Sequence, residues 1–327
     1  MAAFNVITIG DSAFDTIHFI DEDEARLVCN VRKQLCEICF DYADKIPVKE
    51  IFESVGGNAA NAAVGFSRLG LHAAIYTEIG EDEIGESIMR KLKDEHINLK
   101  YVRRQGKTNQ SAIITTNGER TIFSYHEKRD YHLPKLESSD YIYLTSLKTG
   151  FDKIHEALLE QIRSKKTFLV YNPGTYQLKA GMVASQAILH RATMVIMNRE
   201  EAASWLKLPI TTDIKSLLFG LTKFGTKSAV VTDGHDGGYG FDGINYYFCP
   251  IYPQHIIETT GAGDSFATGL SAALFYGASL KEAMRWGTIN SASVVSTIGS
   301  QTGLLTLYEL KKRAKLHESV CASPILT

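Results

Sequence analysis

The chain has 327 residues, 44% of them hydrophobic and 22% charged, with a formal net charge of −2. That is enough apolar material for one large α/β domain with a small appendage, and a charge too balanced to draw nucleic acid or an anionic membrane surface to it. No apolar run approaches the roughly 18 residues of a membrane span, and residues 4–10 read directly as a strand with no signal-peptide pattern, so a cytoplasmic protein with neither membrane nor nucleic-acid partners is expected. The five cysteines are an odd number, which suits a reducing compartment. Cys36-Glu-Ile-Cys39 has no second pair at zinc spacing, so these read as reduced structural thiols, and no role is assigned to Cys29, Cys36 or Cys39.

Short, β-branched apolar runs recur along the chain at Val6–Gly10, Ala74–Glu78, Tyr141–Leu144, Thr167–Tyr171, Met194–Met197 and Ala229–Thr232. Between them, helical spacing of apolar residues marks Asn58–Leu69, Ile84–Lys93, Ile154–Ile162, Phe266–Tyr276 and Leu280–Val295. That alternation predicts a mainly parallel sheet covered on both faces. Two stretches break the rhythm. Residues 14–55 carry charged and aromatic side chains without helical spacing, and residues 98–129 alternate about an Asn117-Gly118 turn, a strong hairpin signal. Together they predict a small β lid on a core formed by 1–13, 56–97 and 130–327. Exposed edges on that lid would allow two chains to pair as a homodimer.

Three patterns carry no chemistry. Gly106-Lys107-Thr108 imitates the end of a phosphate-binding loop but leads into the hairpin instead of a helix. Gly238-Tyr-Gly240-Phe-Asp-Gly243 has dinucleotide spacing, yet Asp242-Gly243 sits between strand-like runs and reads as a hairpin turn. The ten histidines show no paired metal spacing.

Two segments do carry chemistry. In Glu258-Thr-Thr-Gly-Ala-Gly-Asp264-Ser, Gly261 and Gly263 permit a turn whose amides point at an anion, and an apolar helix begins near Asp264. Asp264 would oppose a static anion, so its presence there suits a base that accepts the proton of an attacking hydroxyl; a loop closed by an Asp N-cap is the plainer alternative. In Ser54-Val-Gly56-Gly57-Asn58-Ala-Ala-Asn61, a double glycine feeds a small-residue helix with two asparagines three apart, which suits either an ordinary N-cap or the recognition of a polyhydroxylated ligand.

With these two segments in this order, about 200 residues apart, the chain resembles the ribokinase-like (PfkB) family of sugar and nucleoside kinases over essentially its whole length. The resemblance implies a three-layer α/β sandwich with a mainly parallel central sheet and a small β-sheet lid. It implies ATP and Mg2+ as cofactors and transfer of the γ-phosphoryl to a hydroxyl of a sugar; a nucleoside acceptor, or a non-catalytic sugar- or nucleotide-binding regulator, are the alternatives. It further implies that Asp264 is the base, with the amides of Gly261, Ala262 and Gly263 as an anion hole. Asp15, with Asp11 as its rival, and Gly57, Asn58 and Asn61 would bind the acceptor. Asn198, Thr232, Gly234 and Asn290 would contact ATP, and Glu201 of Asn198-Arg-Glu-Glu201 would hold magnesium through water. Glu258 stands where many relatives have an aspartate beside a monovalent cation, with the backbone near Gly299 completing that loop, so K+ is a conditional expectation. Lys128, Arg129, Arg103 and Arg104 read either as solvated lid charge or as contacts to a phosphorylated sugar.

Overall fold

A computed structural model describes residues 2–30, 35–116, 119–163 and 166–325. Along the chain run β1 (Phe4–Ile9), β2 (Ala13–Phe19), β3 (Arg26–Asn30), β4 (Leu35–Cys39), β5 (Glu50–Gly56), α1 (Asn58–Arg68), β6 (Ala73–Ile79), α2 (Glu83–Asp94) and β7 (Asn98–Arg104). There follow β8 (Gln110–Thr116), β9 (Glu119–Tyr125), β10 (Ser139–Leu144), α3 (Phe151–Ile162), β11 (Phe168–Tyr171), α4 (Thr175–Ala184), α5 (Gln186–Arg191), β12 (Met194–Asn198) and α6 (Arg199–Leu206). The last third holds α7 (Ile214–Thr222), β13 (Ser228–Thr232), β14 (Gly238–Phe241), β15 (Tyr246–Cys249), α8 (Ala262–Phe275), α9 (Leu280–Val295), α10 (Leu307–Leu316) and β16 (Ser323–Pro324).

Among the described residues the large sheet has the order β16-β15-β14-β13-β12-β11-β10-β1-β6-β7. It is parallel from β13 to β7 and ends in the antiparallel strands β14, β15 and β16. Alternate side chains leave opposite faces of each strand. Ile142, Leu144, Leu169, Tyr171, Val195 and Met197 pack on one side with α3, α5, α6 and α7. Tyr143, Val170, Met194, Ile196 and Val230 pack on the other with α1, α8, α9 and α10. Mostly apolar residues buried on both faces of the central strands are what a doubly covered sheet requires, and the expected three-layer sandwich is the fold observed.

The small sheet has the order β5-β2-β8-β9. Its central pair β2–β8 is parallel, while β5 and β9 pair antiparallel at its edges. The Asn117-Gly118 turn lies outside the described residues, but β8 and β9 on either side of it form the expected hairpin. One boundary moves. Asn98–Arg104, read as the start of the lid, is β7 on the edge of the large sheet, beside β6. Its Asn-Leu-Lys-Tyr-Val-Arg-Arg alternation is that of an edge strand buried on one face only, with Tyr101 inward, so it resembles a hairpin strand in sequence. Gly106-Lys107-Thr108 is a loop, and Asp242-Gly243 is the β14–β15 turn, as expected. No helix among the described residues is long and apolar enough to cross a membrane.

The carboxyl ends of the parallel strands share one rim of the sheet. Asp11 follows β1, Ser146 follows β10, Asn172 follows β11, and Asn198 and Thr232 end β12 and β13. That rim is where parallel sheets bind ligands.

Candidate active site

Small residues let α1 and α8 approach closely. A Cβ added to Gly65 would stand 2.6 Å from Thr268 Cγ2. One turn nearer the helix starts, the same contact line sets α1 asparagines against Asp264: Asn58 Nδ2 donates to Oδ1 and Asn61 Nδ2 to Oδ2, each at 2.8 Å. Asn61 is itself held, because its Oδ1 accepts from Ser300 Oγ at 2.9 Å and Gln301 Nε2 at 3.1 Å. Burial pushes the Asp264 carboxyl up to about 6; the two amide donors pull it down and the charge of Asp15 adds to the rise. A carboxylate so buried, with a pKa near neutrality, is suited to taking a proton.

Gly261 precedes α8 at φ 80, with Ser300 so close that a Cβ would meet its Cβ at 2.6 Å. Gly263 has nothing within 4 Å of where a Cβ would stand, so its side of the helix is open to a ligand. Of the amides expected at the anion hole, one is already engaged within the chain. The Ala262 N–H donates to Thr259 O at 3.2 Å to close the turn, which leaves the N–H groups of Gly261, Gly263 and Asp264 without a protein acceptor among the described residues. These unpaired donors stand at the positive end of a helix of 14 residues, where negative charge is favoured.

Gly56 and Gly57 work by absence. A Cβ on Gly56 would stand 2.1 Å from Asp15 Oδ2, and one on Gly57, at φ +89, would meet backbone atoms of Asp11, Ser12 and Ala13 at 2.6–2.8 Å. The double glycine therefore seats the 11–15 segment against the start of α1. Asp15 is buried and pushed up to about 6 by that burial, against a hydrogen bond from Ser111, with Glu258 adding to the rise and Arg120 opposing it. Asp11 is also pushed up to about 6 by burial, with Lys148 and the hydroxyl of Tyr131 opposing; that hydroxyl donates to Asp11 Oδ1 at 2.9 Å.

Two cavities meet at the nest. A polar one of about 320 Å³ is lined by Asp264, Asn58, Asn172, Asn198, Glu201 and Arg120, among others. An apolar one of about 250 Å³ is lined by Ile251, Tyr252, Ile256, Phe266, Ala292 and Val295, with Gly234 and Thr288 at its polar spots. Thr232, Thr259, Ala262 and Gly263 line both.

Asn198 and Glu201 close a capping box at α6: Asn198 Oδ1 accepts from Glu201 N at 2.8 Å and Glu201 Oε2 from Asn198 N at 3.0 Å. Burial raises the Glu201 carboxyl above its ordinary range, and Asp264 adds to the rise. Asn290 does not reach the cavity. It is fully buried, donating to Ser265 O at 2.8 Å and accepting from Leu305 N at 3.1 Å, so it braces α9 against the start of α8. Its helix neighbours Thr288 and Ser291 line the apolar cavity instead. Glu258 accepts from Gly299 N at 2.8 Å through Oε2, and its Oε1 is buried with no hydrogen-bond partner, 3.9 Å from Arg120 Nη1.

Sequence reading passed over Asn172, whose carboxamide joins Tyr143 OH to Ile196 O across three strands. The Asn-Pro-Gly directly after an apolar strand was the available signal. It passed over Arg120 too, which reaches from β9 to donate to Thr259 Oγ1 at 2.7 Å. A lone arginine in a hairpin carries no mark of that reach.

Residues 16–307 match the pfkB family carbohydrate kinase pattern. The chain is 22% identical to the ATP-dependent 6-phosphofructokinase of Thermoanaerobacterium thermosaccharolyticum over 314 residues, 89% of this chain and 96% of that one. The fold is similar to Arabidopsis thaliana ribokinase complexed with ribose and ATP, with TM-score 0.77 and 20% identity over 95% of this chain and 98% of that one. It is similar also to the nucleoside kinase of Methanocaldococcus jannaschii, with TM-score 0.76 and 20% identity over 97% of this chain and all of that one. The chain accordingly belongs to the pfkB family of carbohydrate kinases, enzymes of the ribokinase-like fold.

Proposed function

We propose that this kinase transfers the γ-phosphoryl of ATP to a hydroxyl of a sugar, with Asp264 as the base. One observation carries the reading: a buried carboxyl with a pKa of about 6 lies in the polar cavity, at the unpaired N–H groups where that cavity meets the apolar one. The apolar cavity suits a nucleobase, with Thr232 and Gly234 toward the ribose and phosphates. The N–H groups of Gly261, Gly263 and Asp264 stabilise charge on the transferring phosphoryl while Asp264 receives the acceptor proton. Asp15 and Asp11 hold acceptor hydroxyls. Asn58 and Asn61 orient the base, and the small sheet, through Arg120, closes the polar cavity against water.

No cluster of three His, Cys, Asp or Glu among the described residues could hold a metal alone. Glu201, one oxygen of which is used in its capping box, fits an ion held through water and substrate phosphates, as magnesium is. Bound there, Mg2+ would screen the phosphate charge. The unpartnered Oε1 of Glu258 fits a monovalent cation in chemistry, in competition with Arg120; comparing rates in potassium and in a bulky organic cation tests it. The exposed Ile51, Ile122, Phe123 and Tyr125 of the small sheet support pairing of two chains, which light scattering at micromolar concentration would report.

An ATP-consumption screen over free sugars, nucleosides and sugar phosphates tests the whole reading. Consumption with a sugar supports it, and preference for a nucleoside replaces the acceptor. Ligand binding without consumption would turn the chain into a regulator that keeps the fold.

A further inference from the structure

We propose that the acceptor carries an anionic group, a carboxylate or a phosphate, received by Lys148; this rests on the kinase reading above. Lys148 lies in the loop after β10, its side chain only 14% exposed. Two residues before it, Ser146 lines the polar cavity with Asp264, as do Gly174 and Thr175 beside Tyr176, whose ring Lys148 Nζ overlies at 5.0 Å. Lys148 thus lies on a loop whose neighbouring residues line the polar cavity, though it does not line that cavity itself.

Its hydrogen-bonding capacity is unused within the described residues. Among the described residues its ion-pair partner is Asp11 Oδ2, 3.9 Å away and beyond hydrogen-bond reach, and Nζ makes no hydrogen bond. Asp11 Oδ2 is buried without a partner, and so is Nδ1 of His126, whose pKa burial and the Lys148 charge push down to about 4. Burial draws Lys148 below the ordinary lysine range while Asp11 opposes. A neutral acceptor would leave the three donors of the ammonium to solvent and the Tyr176 ring. An anionic group satisfies it, while Asp11 Oδ2 remains for a hydroxyl.

The neighbouring cations are spoken for. Arg103 pairs with Glu78 at 2.9 Å, Arg104 with Glu86, and Arg129 donates to the carbonyls of Gln105 and Lys107. Lys128 is exposed. Lys148 is therefore a specificity-determining residue that charge patterning along the sequence does not single out.

The test compares the wild type with Lys148→Gln and Lys148→Arg in ATP consumption on gluconate, glucose 6-phosphate and fructose 6-phosphate against glucose, fructose and adenosine. Calorimetry measures binding of the same six compounds to Asp264→Asn, with and without Lys148→Gln. The expected result is a preference of about tenfold or more for an acidic probe. Lys148→Gln should raise its KM by about tenfold or more with a smaller change in kcat, and Lys148→Arg should recover part of the loss. Gluconate against the phosphates tells which anion is read. Turnover that prefers a neutral sugar or adenosine, or an acidic-to-neutral ratio unmoved by Lys148→Gln, overturns the inference and leaves the kinase standing. Lys148-dependent binding of an acidic probe without ATP consumption would instead overturn the kinase reading, and absence of both overturns the two together.

Discussion

Asn61 is committed at both ends of its amide: Nδ2 donates to Asp264 at 2.8 Å, and Oδ1 accepts from Ser300 at 2.9 Å and from Gln301 at 3.1 Å. It therefore cannot rotate to follow a substrate without releasing the base. A residue that sequence reading placed on the acceptor holds the Asp264 carboxyl in place.

Asn61→Ala follows from that. Loss of a donor that favours the charged carboxylate must raise the Asp264 pKa above about 6. The acid limb of the pH profile of kcat/KM should move to higher pH, with the rate deficit greatest near pH 6 and smaller near pH 8. A limb that stays in place would show that Asn61 does not tune the base.

Asp264→Asn should retain ATP binding by calorimetry while turnover falls by about two or more orders of magnitude. Near-normal turnover would remove Asp264 from the role of base.

Asp15 makes a stability prediction. Its carboxyl is held near 6 in the fold against an ordinary 3.8, so between these values it is protonated when folded and ionised when unfolded. Stability must then fall as pH rises through that window, by at most about 3 kcal/mol for this group. Asp15→Asn should be more resistant to urea than the wild type at pH 7.5, and the advantage should fade as pH falls below about 4. The same change removes a charge that raises Asp264, so the acid limb of the rate should shift downward. Equal urea midpoints at pH 7.5 would contradict the burial argument.

Two glycines should fail differently. Gly57→Ala forces a Cβ onto three backbone atoms at 2.6–2.8 Å, at a positive φ, and should cost about 1–3 kcal/mol or more in thermal or urea unfolding. Gly263→Ala meets nothing within 4 Å, so its melting should be nearly unchanged while its KM for ATP rises, because the new methyl group stands in the open space at the nest.

What the sequence disclosed were features that are local along the chain. The central strands announced themselves because burial on both faces leaves few polar positions in them, and the Gly-Ala-Gly-Asp turn because its backbone angles restrict which residues can stand there. Contacts made only by the fold stayed hidden. Asn290 sits one residue from Ser291, which lines the apolar cavity, yet the helical turn sends it into the interior. Ala262 lies between two amides open to a ligand, yet its own closes the turn. Tyr101 points into the core from a strand whose alternation reads like a surface hairpin. Arg120 and Lys148 acquire meaning only from chain segments far from them in sequence.

Asn61 reaches Asp264 across 203 positions and Ser300 across 239. The turn at the start of α8 therefore precedes in sequence the segment that steadies the asparagine beside it. The setting of this carboxyl thus depends on segments from both ends of the chain meeting, so it forms with the long-range packing of the fold and not with any one helix.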